Sequence, residues 1–469
     1  MTQAGRSHFD LLRVGLAAFL LNALASLTFT AISVATPYIG SALGVTSQDE
    51  LWLTDAFLIA LICVTPLSGF LAAKLGPRRL LLICAALTMC FFTAGALFKS
   101  LAVLTALCFL AGVSSGFIVP TTQAMVVQAF PSERRSVSMA LWGAGTTSGI
   151  LLGAALTGLA LERTSWHEVF LIAWPVGLGA LVASWLMPRT PESQDARAFR
   201  LDVYETVLLL GGLLALGVFI NLGDNFGWFS SRLITAVFAV FVVSVPLYAW
   251  RARQLSRGLL DVSVLRNAPF AIAAGLTYGA AFFSTGQFQI DLLGGPLKMS
   301  PDALSLRSSL GAAALLAGVV LGGVLLHKIG PGRLVVGAFV IVLIGKYAFT
   351  RYTFGMTLPD VIWPQMVTGL GLGLITTPLA VYAYQTLPTT ATKDVASLFA
   401  LATQLGSGFG IALLGIALSF LQGRSLLYTG DPARVSLEPF LAVFWLEFSG
   451  TVALLLAGLL AFYRQRTKL

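Results

Sequence analysis

Charge is what this sequence has least of. Only 10% of its 469 residues are Asp, Glu, Lys or Arg, against about 25% in an ordinary soluble protein. A chain so poor in charge cannot clothe itself for water, so water is excluded as the solvent for most of its surface. Histidine is as scarce: His8, His167 and His327 are scattered, each near the end of an apolar run. No nucleophile, base and acid converge and no ligand cluster forms, so the residues argue against an enzyme and a metal site, and no cofactor is expected. The four cysteines, Cys63, Cys84, Cys90 and Cys108, all fall inside apolar runs with no Cys-x-x-Cys pair. They read as buried free thiols that act as small apolar residues.

Hydrophobic residues make up 57% of the chain, and they come in runs long enough to cross a bilayer. Fourteen spans are expected, at 11–39, 51–74, 79–98, 101–129, 136–161, 168–187, 202–222, 232–250, 268–292, 303–326, 333–352, 360–387, 395–422 and 437–463. The first is too long for a signal peptide and lacks a small-residue cleavage site, so it reads as a retained span. Lipid offers the backbone no hydrogen-bond partner, which makes the spans helices and the fold class all-α integral membrane. An even count puts both termini on one side. If that side is the cytoplasm, 20 of the 29 Lys and Arg lie there and 9 lie outside, as the positive-inside rule requires. The net charge of +9 is thus spent on orientation in the lipid bilayer, and no nucleic-acid partner is expected.

A short basic loop occurs twice. "GFLAAKLGPRRL", Gly69 to Leu80, returns as "GVLLHKIGPGRL", Gly323 to Leu334, with seven of twelve positions identical. The first copy joins spans two and three, the second spans ten and eleven, both on the cytoplasmic side. Transporters built from two parallel six-helix halves carry such repeats. A shift of eight spans instead of six follows if spans seven and eight are inserted between the halves. The expected organisation is an N-terminal bundle at 1–187, a cytoplasmic linker with the two inserted helices at 188–267, and a C-terminal bundle at 268–469.

With that architecture, the chain resembles the major facilitator superfamily, and within it the fourteen-helix drug:proton antiporter-2 group of the EmrB/QacA type. The loop Gly69–Leu80 is similar to the superfamily's Gly-x-Leu-Ala-Asp-Arg-x-Gly-Arg-Lys, and "FIVPTTQA", "PSERRSVSMALWG", "FLIAWPVG", "GWFSSRLI", "LLDVSVLRNAPFAI" and "ASLFALATQLGSGFGIAL" resemble further segments of the group. The resemblance implies that Gly69, Lys74, Gly76, Arg78, Arg79, Lys328 and Arg333 serve the inner gate. Topology signalling alone is the alternative role for the basic residues. Gly149, Gly153 and Gly158 let span five approach its neighbour closely, either for packing or to seal one end of the path.

The chain departs from the group's pattern where protons are handled. Ala73 replaces the loop aspartate, Thr28 the acid of helix one, Cys108 the arginine of helix four and Thr403 the arginine of helix thirteen. Intramembrane charges are functional candidates by default: Asp55 in span two, and Lys346 and Glu447 in spans eleven and fourteen, which the superfamily's arrangement makes neighbours able to form an ion pair. For each, an interface or structural role competes with proton coupling. Asp224, Asp291 and Arg307 are placed near outer ends within reach of water, and Glu205 at the inner end of span seven. By resemblance the central path runs between helices one, four, nine and twelve, where Asn22, Ser26, Thr28, Gln123, Tyr278, Gln287, Gln289, Gln365, Thr377 and Tyr382 supply a polar, nearly uncharged lining. Such a lining suits a small amphipathic or apolar substrate.

The expected function is a proton-driven exporter of drug-like or amphipathic compounds in a bacterial inner membrane, working by alternating access. Two alternatives stand beside it: an uncoupled facilitator or exporter of lipid-like substrates, and a membrane sensor or scaffold that no longer transports. The resemblance also allows a periplasmic adaptor as partner.

Overall fold

Among the described residues of the computed structural model, fourteen helical spans are long and apolar enough to cross a membrane. The structure describes residues 8–131, 134–163, 165–188, 202–223, 226–254, 260, 262–284, 286–385, 387, 391–428 and 432–466, and these form only helices, turns and short connections. Most of the linker at the head of segment 188–267, residues 189–201, and the charge at Asp224 lie outside the described residues.

The spans run Phe9–Leu43, Trp52–Leu75, Pro77–Leu97, Leu101–Ala129, Arg135–Arg163, Trp166–Leu186, Val203–Leu222, Arg232–Ala252, Ala268–Gly294, Ala303–Ile329, Pro331–Phe349, Leu358–Ala383, Thr392–Arg424 and Leu437–Arg464. Their number agrees with the sequence reading, and their ends differ from it by a few residues. Span nine is two helices in succession, Ala268–Phe282 and Gln287–Gly294.

The chain divides into two units. The first comprises Met1–Asn267 with Thr386–Leu401, the second Ala268–Gln385 with Ala402–Leu469. In the first, 67% of the most apolar stretch of span one is buried against 17% of span eight, so span one is central and span eight peripheral. Spans seven and eight attach through span seven. The Cys63 thiol meets the Leu210 carbonyl at 3.5 Å, and Gly217 packs on Ile59 of span two.

Both repeat loops have one geometry, and glycine is the reason. Gly76 ends the helix before it at φ +79° and ψ 139°, and Pro77 starts the next. Gly330 sits at φ +82° and ψ 156°, followed by Pro331. A side chain at such a φ is strained, and proline suits the first helical position because its missing N–H would have no partner there.

Glycines also set the closest helix contacts. A Cβ on Gly145, Gly149 or Gly153 of span five would lie 2.3–2.9 Å from the carbonyl oxygens of Phe19, Ala23 and Leu27 of span one. In the second unit, Gly406 and Gly410 of span thirteen meet the Tyr278 and Phe282 carbonyls of span nine in the same way, at 2.3 and 2.1 Å. Small residues four apart allow backbones to touch like this. The eight-span shift of the loop repeat therefore recurs in packing. Gly158, further along span five, is half-buried, and Gly145 joins Gly149 and Gly153 in the contact.

Cys90 corrects the thiol reading. Cys84 and Cys108 are buried, but Cys90 is exposed on its helix, an apolar position that faces outward from a lipid-embedded bundle.

Candidate functional site

In the first unit, the buried polar cluster is uncharged and joins spans one, four and five. Asn22 donates to the Thr122 hydroxyl at 2.9 Å and to the Ala18 carbonyl at 2.7 Å. The Trp142 indole donates to the same hydroxyl at 3.2 Å. Beside Thr122, Gln123 is 0% exposed, yet among the described residues neither its amide oxygen nor its nitrogen has a hydrogen-bond partner, and the Asn22 oxygen and the Ser115 and Thr121 hydroxyls lack one too. Buried polar groups are nearly always satisfied, so this cluster holds unused capacity for a water or a polar ligand group.

The other residues expected along the path in this unit are committed elsewhere. Thr28 returns its hydroxyl to the Leu24 and Ala25 carbonyls of its own helix, and Ser26 packs against Gly149. Asp55 is half-buried in the first turn of its helix and forms no ion pair with a described residue.

At the first repeat loop, Arg78 donates to the carbonyl of Trp185 at the end of span six. A cation at a helix C-terminus opposes the partial negative charge there. Lys74 stands 5.9 Å from the Phe70 ring, and Arg79 is exposed. The start of span thirteen reaches this end of the unit, with Ser397 hydrogen-bonded to Ser68 at 3.0 Å and Lys393 against Gly69. In the second loop Lys328 and Arg333 are exposed, and Gly332 replaces Arg78, lying against the Phe462 ring.

The second unit's buried cluster is ionic. Lys346 and Glu447 form an ion pair at 3.3 Å with side chains only 2% and 1% exposed. The Lys346 ammonium also donates to the carbonyl of Phe283. That carbonyl lies just past the helix Ala268–Phe282, where backbone oxygens lose their intrahelical partners. One lysine thus ties spans nine, eleven and fourteen together.

A second charge in this unit was misplaced by the sequence reading. Arg307 is not within reach of water but 1% exposed. Its Nε donates to the Val361 carbonyl at 3.3 Å, and its Nη2 donates to the amide oxygens of Gln289 and Gln365, the latter at 2.8 Å. Two expected path residues are therefore brought together by an arginine that was read as peripheral. Its position early in span ten, with glutamines in spans nine and twelve, was the available signal. Of the rest, Gln287 is exposed and bonded to Asp291 at 2.9 Å, and Thr377 donates to Val319 at 3.3 Å. Tyr278 stacks on Phe282 and Tyr382 packs on Phe462. In the first unit, Glu205 at the start of span seven is likewise buried, 2% exposed.

Membrane-length helices around buried polar and ionic clusters define a multi-pass transport architecture. The model of the Major Facilitator Superfamily matches residues 18–411, and the chain belongs to that family, whose members are transporters and not enzymes. The multidrug export protein EmrB of Haemophilus influenzae is 27% identical over 395 residues, 82% of this chain and 76% of the relative. The multidrug efflux pump LfrA of Mycolicibacterium smegmatis is 27% identical over 396 residues, again 82% and 76%. The crystal structure of the human organic anion transporter MFSD10 shares the fold, with TM-score 0.65 and 16% identity across 94% of this chain and 99% of that one. The chain is a superfamily transporter distantly related to multidrug efflux pumps.

Proposed function

We propose that this chain exports amphipathic or apolar molecules from a bacterial cell, driven by protons and working by alternating access. In this reading it is a protein of the inner membrane with both termini in the cytoplasm, where the bias of Lys and Arg supports them. The halves 1–187 and 268–469 rock against each other, with 188–267 as a peripheral insertion. The basic loops with Gly69, Gly76, Lys74, Arg78, Arg79, Lys328 and Arg333 form the inner gate. The glycine contacts at Gly149 and Gly153 seal the path between strokes.

The observation that carries proton coupling is the Lys346–Glu447 pair. An antiporter needs a carboxylate that takes a proton from one side and releases it to the other. Ionised Glu447 is held by Lys346. Protonation removes that attraction and leaves Lys346 bonded to the Phe283 carbonyl, so the link between spans eleven and fourteen weakens while that to span nine persists. Asp55, half-buried with no ion-pair partner among the described residues, is the second candidate.

The test is the substrate-dependent change of pH inside proteoliposomes. Uphill substrate movement only with an inward proton gradient is expected, lost in Glu447→Gln while downhill flux persists. Unchanged coupled transport in both Glu447→Gln and Asp55→Asn removes both residues. One observation favours a second reading, an uncoupled facilitator: the buried cluster of the first unit carries no charge. Gradient-insensitive flux selects it.

A further inference from the structure

Arg307 and Lys346 are equally buried cations of one unit, and only one of them has a counter-ion. Lys346 faces Glu447. Every hydrogen-bond acceptor of Arg307 is neutral: a backbone carbonyl and two glutamine side chains. No carboxylate of a described residue pairs with it. The Tyr352 hydroxyl stands beside the guanidinium as a further neutral neighbour. A guanidinium has five N–H donors, and the bonds to Val361, Gln289 and Gln365 use Nε and Nη2, leaving Nη1 without an ion pair to any described residue. Ions buried in membranes are paired or serve a function, and an unpaired buried charge is strongly destabilising. Two neutral amides do not supply the missing charge.

The geometry points to Arg307 as the recognition site for the carboxylate of a monoanionic amphipathic substrate. Gln289 and Gln365 hold the guanidinium while the site is empty and give up acceptor positions when the acid binds. Three features select this class. The planar fork of Nη1 and Nη2 matches a carboxylate's two oxygens. Lys346 is neutralised by Glu447, so the local charge to be balanced is a single positive one, which suits a monoanion better than a phosphate dianion. Val361 and Tyr352 belong to a buried apolar cluster with Phe288, Leu292, Phe349 and Phe444, which keeps the guanidinium dry and must part to admit a hydrocarbon body. The inference rests on the export reading and specifies its substrate.

Binding is measured on the full chain in lipid nanodiscs with radiolabelled dodecanoate, using dodecanol and dodecyl phosphate as competitors. Dodecanoate is expected to bind about 10-fold or more tighter than dodecanol and tighter than dodecyl phosphate, as a charge-assisted bidentate contact implies. Arg307→Gln should erase the preference for the acid, and Arg307→Lys should restore part of it. Gln289→Glu guards against misfolding of the arginine variants, because it gives Arg307 an internal counter-ion. It should remain monodisperse, unfold no earlier than wild type and lose dodecanoate binding about 10-fold.

Equal binding of acid and alcohol to the wild type overturns the assignment, as does an undiminished preference in folded Gln289→Glu. Tighter binding of dodecyl phosphate overturns the carboxylate in favour of a phosphate headgroup. Proton-linked export of a cationic dye without acid binding defeats this inference and leaves the export reading standing. Arginine-dependent acid binding with no transport of any compound defeats the export reading and supports the site.

Discussion

The two units share a scaffold and differ in what they bury. Both have the Gly-Pro loop, with Gly76 and Gly330 at nearly the same φ. In both, glycines four residues apart press one helix onto another. The interior of the first holds one buried carboxylate, Glu205 at the start of span seven, and a neutral central cluster, the Asn22–Thr122–Trp142 network with the amide of Gln123. The second holds a lysine, a glutamate and an arginine, each about 1% exposed. Backbone geometry followed the repeat; charge did not. Substitutions that act through backbone geometry should therefore cost about the same in either unit. Those that act through buried groups should differ, and in sign.

The largest effect is expected at the ion pair. Glu447→Gln leaves Lys346 buried without its counter-ion, which costs about 3–5 kcal/mol. The double variant Lys346→Met/Glu447→Leu removes both charges and should recover most of that loss, since apolar replacement of a buried pair is often neutral or better. Thermal unfolding in a fixed detergent reads the difference. A double variant as unstable as the single one would mean that the pair's packing, and not its charge, holds spans eleven and fourteen together.

Next comes the backbone comparison. Gly149→Ala would drive a Cβ to 2.3 Å from the Ala23 carbonyl, and Gly410→Ala to 2.1 Å from that of Phe282. Neither obstacle is a flexible side chain, so both variants should lose about 1–3 kcal/mol through overpacking. Gly158→Ala, at a half-buried position, should change stability by no more than about 0.5 kcal/mol. If Gly158→Ala is as costly as Gly149→Ala, the close contact extends further along span five than the structure shows.

The scaffold was legible in the sequence because its determinants are local. A run of about twenty apolar residues fixes a span, and Gly followed by Pro fixes the loop whichever helices it joins. The Lys346–Glu447 pairing was legible through the neighbour relation that the resemblance implied. Arg307 was not. A charge four residues inside an apolar run looks interfacial, and its burial depends on Gln289 and Gln365 approaching from distant spans. Nor could the polar lining be sorted. Thr28, Gln123 and Gln287 are alike in being polar residues in apolar helices, and their separate fates depend on how each helix is rotated about its axis by its partners. The glycine pairs were only partly legible, since Gly145, which shares the contact with Gly149 and Gly153, carries no mark in the sequence that sets it apart from other glycines.

Gln123 tests the sign. Its amide is buried and unbonded, a state that costs about 1–3 kcal/mol. Gln123→Met keeps the volume and removes the polar atoms, so stability should stay level or rise by about 1 kcal/mol. Export should fall at the same time if the cluster receives substrate. A stable variant with normal flux would make Gln123 a packing residue, and a clearly destabilised one would mean that the amide is satisfied by water.

The smallest effect is expected where the first unit does carry an ion pair, at its water-facing edge. Arg251 of span eight holds Asp202, just ahead of span seven, by two bonds of 2.5 and 3.3 Å. The side chains are 31% and 20% exposed, and solvent screens such pairs heavily. The hydrogen bond from Arg251, helped by the backbone N–H of Glu205, holds the Asp202 carboxyl below its usual range. A carboxyl depressed by folding adds stability that is present above its unfolded pKa, about 3.9, and is lost as pH falls through the lower folded value. Asp202→Asn keeps an oxygen to cap Glu205 and removes only the charge. Its unfolding temperature should sit slightly below that of wild type at pH 7. The gap should narrow as pH drops below about 4 and shrink in high salt. A gap that stays constant from neutral to acid pH would assign the effect to the helix cap, and the exposed ion pair would then contribute no measurable stability.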